Sequence, residues 1–483
     1  MYSLVLKLRR LFLSNTTDRR RTATVDSTSN GSGEDHISAL PNSLLSEIVS
    51  RLRITDAIHT TTLSHGWSGV WHSAPLNLDD SQLRRRPGEE RALDELSNAA
   101  MVARVSSILS SHPGPFRSVR LTCTGMGSHR EALNSWFGAF AAKHLEELSF
   151  LSLQHPDNVT VPGDLFRCES LRRLHLGGVR LPAEAAGIIS RAGHGHILRE
   201  LREICLYRCI LQGSDVETLL SCSPKLEELS LVSSSSCGRP LRMRVHSHSL
   251  RCMLYWVSSP EELDVSAPPL ERLILWNDDT LQWSGCKKIM IRSAPRLRVI
   301  GHLSPGDHVL QIGDTVIKNG MKASATTVVP SVEVLAMTVR FGLRKEEQMS
   351  IAHTQSNDED NMEFWKNVDS IQCVRSSIKK IIFDDFSGEE CELAFLTSIA
   401  QNANLLEEIY IIPSKKDFSA GIALGNVIND LFSSILWTSG YCRVEVLAGA
   451  TNAWNYQIAS DLSLCDPFGY AISINDNIVK LGQ

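Results

Sequence analysis

The sequence predicts an α/β protein in which a small N-terminal helical module precedes a curved solenoid with a parallel sheet along its concave face. Two observations predict it. The pattern L-x-x-L-x-L recurs between Leu148 and Trp276, with starts roughly 20–30 residues apart, the interval of a leucine-rich solenoid. Ahead of it, from Leu40 to Trp71, apolar residues fall at helical spacing. The chain has 483 residues, 42% of them hydrophobic and 21% charged, enough for more than one domain and a large core.

The N-terminus, "MYSLVLKLRRLFLSNTTDRRR", is apolar and basic, but Lys7, Arg9 and Arg10 interrupt any signal-peptide core. An organelle-targeting presequence and a disordered basic arm both fit. The polar "TATVDSTSNGSGEDH" that follows cannot pack and favours the arm, so residues 1–34 are expected as a disordered basic tail.

Next comes "LPNSLLSEIVSRLRITDAIHTTTLSHGWSGVW". Leu40, Leu44, Leu45, Ile48, Val49 and Leu52 mark the apolar side of one helix, with Pro41 in its first turn, where the missing N–H costs nothing. Thr55 is placed to cap a second helix, with Asp56 complementing its dipole. Ile58, Leu63, Trp67, Val70 and Trp71 give that helix an apolar side of its own. Two short helices cannot hide this surface between themselves, so they dock on the solenoid's end or bind another chain.

The repeats follow: "LSFLSL" from Leu148, "LRRLHLGGVRL" from Leu171, "LREICLYRCIL" from Leu201, "LEELSL" from Leu226, "LRCMLY" from Leu250 and "LERLILW" from Leu270. The second and third extend to the longer form ending N/C-x-L, with Cys209 at the N/C position and Val179 departing from it. Each repeat should give one short strand with its apolar residues pointing inward. A helix or irregular turn, such as "GSDVETLLSCSPK", should return over the back. Beyond Trp276 the spacing becomes ragged, yet "CKKIMIRSAPRLRVIGHL", "SVEVLAMTV", "SIKKIIFDDF" and "LLEEIYII" still read as strands of one ladder. The acidic "RKEEQMSIAHTQSNDEDN" reads as a loop or linker.

Strand alternation places Gln154, Gly177, Tyr207, Val232, Trp256 and Trp276 in one outward column, and Ser152, His175, Cys205, Ser230, Leu254 and Ile274 in the next. Tyr207, Trp256 and Trp276 thus form a candidate aromatic row for anchoring a partner. The alternative is that a C-terminal segment or long loop covers it. Arg173, Glu203, Glu228 and Arg272 alternate in sign and read as a solvated strand face.

Other function classes find no support. A net charge of −5 makes no electrostatic trap for nucleic acid. No apolar run is long enough to span a bilayer. The 12 cysteines are scattered singly, which reads as a reduced, intracellular chain. His194 with His196, and His246 with His248, lack a third ligand at metal spacing, so neither metal nor cofactor is expected. "RRRPGEER", from Arg84, has no glycine cradle for phosphate. There is no G-x-S-x-G, P-loop or dinucleotide motif, and no enzyme is proposed.

Asp35–Asp80 resembles a plant F-box in its L-P, S-L-L-x-x-I, R-L, D-A, L-S-x-x-W and closing W. Ser377–Ile412 resembles the FBD module that closes many plant F-box/leucine-rich-repeat proteins. The resemblance implies a non-catalytic substrate receptor in the cytoplasm or nucleus. Its F-box would bind a Skp-type adaptor, and through it a cullin, within a ubiquitin ligase, and its repeats would capture a target protein. It assigns adaptor contact to Leu40, Pro41, Leu44, Leu45, Ile48, Leu52, Leu63, Trp67 and Trp71. The divisions it implies are an F-box at 35–80, repeats at 81–345, a linker at 346–365 and an FBD-like end at 366–483. Two departures stand out: Arg53 where the family has Pro, and His65-Gly66 where it has basic residues. Gly66 is expected to fray the second helix. A leucine-rich scaffold with a degenerate F-box and no ligase role is the alternative.

Overall fold

The structure, a computed structural model, describes residues 37–83, 95–122, 125–152, 159–182, 197–232, 234, 242–256, 261–276, 288–303, 309–312, 315–317, 331–338, 372–413, 418–447, 459–468 and 479–480. The basic tail, "RRRPGEER", Gln154, His194, His196 and the acidic linker lie outside the described residues. The chain divides into two compact units, one of residues 1–211 with 222–226, the other of 212–221 with 227–483.

The first unit opens with three short helices rather than two: α1 (Asn42–Arg51), α2 (Ile54–Thr60) and α3 (His65–Ser73). Leu52 and Arg53 leave the helical conformation and break the first run early. Pro41 sits just outside α1 as its N-cap residue. Ser64 caps α3 by accepting from the Trp67 N–H, and α3 runs unbroken through Gly66, so the expected fraying is not seen.

After the helices come β1 (Leu76–Asp79), α4 (Glu95–Ser111), β2 (Phe116–Leu121), α5 (Arg130–Ala142), β3 (Glu147–Leu151), β4 (Arg173–Gly177) and β5 (Glu203–Tyr207). The strands pair in parallel in sequence order. The register corrects the sequence reading of the first repeat. Leu148 pairs with Leu174 and Leu151 with Gly177, so the frame is Leu145-x-x-Leu148-x-Phe150, three residues earlier than "LSFLSL". Phe150 takes the third leucine position and is fully buried. At the turn beyond β5 the Cys209 thiol donates to the carbonyls of Leu176 and Tyr207, which explains why that position takes a side chain able to donate. A helix, α6 (Gly213–Cys222), follows.

The second unit holds two sheets. The strands in chain order are β6 (Glu228–Val232), β7 (Arg242–His246), β8 (Cys252–Trp256), β9 (Glu262–Ser266), β10 (Arg272–Trp276), β11 (Lys288–Ser293), β12 (Val299–Leu303), β13 (Val309–Ile312), β14 (Thr315–Ile317), β15 (Val334–Thr338), β16 (Lys380–Phe386), β17 (Glu408–Pro413), β18 (Arg443–Val446) and β19 (Val479–Lys480). One sheet runs β6-β8-β10-β12-β15-β16-β17-β18 in parallel, closed by antiparallel β19. The second runs β7-β9-β11-β13 in parallel, closed by antiparallel β14. Between residues 242 and 317 the returning segments are therefore strands. In Arg242–His246 buried and exposed residues alternate, with Met243 and Val245 pointing inward.

Helices α7 (Gln372–Ser376), α8 (Glu390–Asn402) and α9 (Phe418–Ser434) belong to the last repeats. Ile381, Phe383, Phe386, Phe395, Leu396 and Ile409 form their core. The segment read as an FBD is thus β16-α8-β17, a further turn of the same parallel ladder.

Candidate partner-binding surfaces

The helical module separates its two apolar sides. Leu45 and Val49 of α1, Ile54 and Ala57 of α2, and Trp67, Val70 and Trp71 of α3 are buried with Leu76 and Leu78 of β1. Polar ties fix the docking. Asn77 donates to the Ser50 carbonyl at 2.7 Å, the Ile54 N–H donates to Gln82, and Arg117 pairs with Glu47 at 3.2 Å. Trp67 Nε1 donates to Ser38 at 2.9 Å. The Trp71 ring meets the edge of His112, which in turn meets Phe116. Burial holds the His112 imidazole near a pKa of about 4, so it stays neutral in this contact.

The opposite side stays open. Leu44 is 52% exposed, Leu63 is 65% exposed, and Ile37, Pro41 and Ile48 are exposed beside them in the sequence. Leu44 and Ile48 are one helical turn apart and share a face. Of the residues assigned to adaptor contact, Leu40 and Leu52 are half-buried, while Pro41, Leu44, Ile48 and Leu63 lie on the surface. Leu45, Trp67 and Trp71 are corrected: they are buried within the folded module and present no open surface to a partner.

The aromatic row needs a second correction. Tyr207, in the first unit, is 6% exposed, and Trp256, in the second, is 7% exposed, so neither presents an open anchor. Trp276 is the register partner of Trp256, but its side chain lies outside the described residues. Within the second unit the sheet is covered by the chain itself. The Arg272 guanidinium donates to the carbonyls of Ala459 at 3.0 Å, Asp461 at 2.8 Å, and Leu464. The Cys252 thiol also reaches Ala459. Lys380 pairs with Asp466, and the His302 ring meets the edge of Phe468. A C-terminal segment thus lies on this strand face at Cys252, Arg272, His302 and Lys380, the kind of covering that stood as the alternative for the aromatic row. It also overturns the solvated reading of Arg272, which is 3% exposed. Arg173 fits that reading better, half exposed and paired with Glu147, while Glu203 is more enclosed and pairs with His175 at 2.7 Å.

Among the described residues no cluster of His, Cys, Asp and Glu could hold a metal ion, and no helix is long and apolar enough to cross a membrane. Cys168 and Cys222 are buried, which pushes their thiols up to about 12 and about 11, away from nucleophilic chemistry.

Comparison with known proteins addresses the repeats and the end of the chain. Residues 133–353 match the family model described as "FBD-associated F-box protein At5g56370, LRR repeats", and residues 366–411 match the FBD model. The repeats and the segment that closes them are thus similar to those of FBD-associated F-box proteins. Three relatives from Arabidopsis thaliana are similar to parts of this chain. F-box/LRR-repeat protein At3g26922 is 26% identical over 56% of this chain and 76% of its own length. F-box/FBD/LRR-repeat protein At1g13570 is 28% identical over 42% of this chain and 45% of its own. FBD-associated F-box protein At5g38590 is 25% identical over 55% of this chain and 60% of its own. The chain thus spans about half the length of the last two. Both family-model matches lie beyond Asp80, so the assignment of the F-box surface rests on its own residues and their geometry.

Proposed function

We propose that this protein is the non-catalytic substrate-recognition subunit of an SCF-type ubiquitin ligase, acting in the cytoplasm or nucleus. The open face of α1 and the α2–α3 turn binds a Skp-type adaptor, and through it a cullin, while the repeats capture a target protein. The observation that supports this most is the division of labour in the helical module. One apolar side is clamped to β1, and the other, with Leu44, Ile48 and Leu63, is left in water. Such a patch on a firmly held module is costly unless another chain covers it.

Pull-down of a purified Skp-type adaptor by the full chain tests the reading. Leu44→Ala with Ile48→Ala should weaken capture by on the order of 2 kcal/mol, the effect of truncating a central anchor. Both residues are largely outside the core, so the melting temperature should hold. An adaptor that binds the variant as well as the parent, or binds neither, rejects the ligase role. It leaves the leucine-rich scaffold that the Arg53 and His65-Gly66 departures would favour.

A further inference from the structure

The covering segment is an odd partner for the face beneath it. Cys252, Arg272, Val299, Val334 and Lys380 are register partners across β8, β10, β12, β15 and β16, so they form one row across the sheet. All are less than a tenth exposed. Two are cations. Lys380 has acidic partners, Asp466 and, at 3.5 Å, Glu408, and lies over the Tyr410 ring at 4.5 Å. Arg272 is held by three backbone carbonyls and, among the described residues, by no carboxylate. The nearby Asp461 carboxylate accepts from the Ser463 N–H at 2.9 Å and its hydroxyl at 2.6 Å, and the Arg272 charge acts on it only through space, as the weakest of the influences on its pKa. A buried guanidinium gains more from a carboxylate, which can accept two parallel N–H bonds, than from neutral carbonyls.

We propose that this row is a binding site for a peptide segment with two acidic side chains, and that residues 459–468 occupy it in cis as a replaceable latch. The proposal deepens the reading above, since it rests on taking this sheet face as the target side and names the chemistry of the target. The spacing follows from the register. Arg272 and Lys380 are three strand steps apart, or about 14 Å at the usual strand separation, which an extended chain covers in about four residues. A segment with acidic residues at positions 1 and 5 meets both cations. It matches the latch at Lys380 and betters it at Arg272. The latch keeps its place because it is tethered, at an effective concentration in the millimolar range.

The test uses the full chain and a fluorescent peptide, Gly-Ser-Glu-Gly-Ser-Gly-Glu-Ser-Gly, with the same peptide carrying Gln for both Glu as control. Asp466→Lys places like charges together and should open the latch, seen as faster amide exchange over 459–468. It should tighten the Glu peptide at least tenfold over the parent chain while leaving the Gln peptide weak. Arg272→Gln in the Asp466→Lys background should lose at least tenfold. The double variant Lys380→Asp with Asp466→Lys restores the pair in reverse. It should recover slow exchange and the parental melt, which controls for damage to the fold, and should bind neither peptide. Equal binding of Glu and Gln peptides to an opened latch overturns the site. Unchanged exchange in Asp466→Lys, or a swapped pair that fails to close, overturns the latch. Adaptor pull-down on the same variants should not change. Its loss in the parent chain would sink the ligase reading alone, whereas a failed peptide experiment leaves adaptor capture standing.

Discussion

Gly178 shows how a single residue carries the solenoid from one repeat to the next. Its φ is +64°, and a Cβ there would lie 2.2 Å from the Ser152 carbonyl oxygen of the preceding repeat. Both the backbone conformation and the close approach exclude a side chain. Gly178→Ala should therefore lower stability by at least about 2 kcal/mol, since the backbone of the neighbouring repeat must move. Gly138, inside α5, has open space at its Cβ position and ordinary helical surroundings. Gly138→Ala should raise stability by about 1 kcal/mol, through helix propensity alone. Thermal melts of the two variants must move in opposite directions, and a shared direction would refute the geometric account. The same scale shows what a sequence can reveal. Cys209 was readable because its position is fixed by the repeat. Phe150 was not, because an aromatic in a leucine slot moved the apparent frame by three residues. Arg272 looked like any exposed strand cation until three carbonyls, one of them 187 residues away, were seen to surround it.

Among the elements, helix α8 of the FBD repeat is fastened by one side chain. Glu392 is 1% exposed, and its Oε2 accepts from the N–H groups of Ser387, Gly388 and Glu389 and from the Ser387 hydroxyl. Glu389 returns the contact as N-cap, completing a capping box. Burial raises the Glu392 pKa, and the four donors only partly oppose that. The acceptor geometry thus matters more than the charge. Glu392→Gln keeps an acceptor oxygen and should cost within about 1 kcal/mol, whereas Glu392→Ala strands three N–H groups and should cost about 3 kcal/mol. Urea titration of both checks the order, and equal losses would show that charge is what counts. An acidic pair three residues apart before an apolar helix, Glu389 and Glu392, was the available sequence signal for this start. The main strands were legible because leucine recurs at fixed offsets. The second sheet, β7 to β14, was not, since each strand is only three to six residues long and a short alternating run is easily taken for a turn.

For the whole molecule, both units carry a histidine that folding keeps neutral, and this sets the acid side of stability. His112, between Trp71 and Phe116 in the first unit, and His302, against Phe468 in the second, are each pushed down to about 4 by burial. The sign follows from proton counting. Below the ordinary histidine value of about 6.5 the unfolded chain binds protons that the folded chain refuses, so folding weakens as pH falls. The loss begins near 6.5 and is complete near 4, where the folded forms protonate too. For the buried His302 the loss amounts to roughly 3 kcal/mol, at 1.36 kcal/mol per pKa unit. Melting temperatures recorded from pH 7.5 to pH 4.5 should therefore fall steadily below pH 6.5. His302→Phe keeps an aromatic ring against Phe468 without a titrating group, so it should remove part of that slope. His302 contacts the covering segment directly, so amide exchange over 459–468 should also quicken in acid in the parent chain and much less in His302→Phe. An unchanged pH slope in the variant would show that the carboxylates, not the two buried imidazoles, govern acid unfolding.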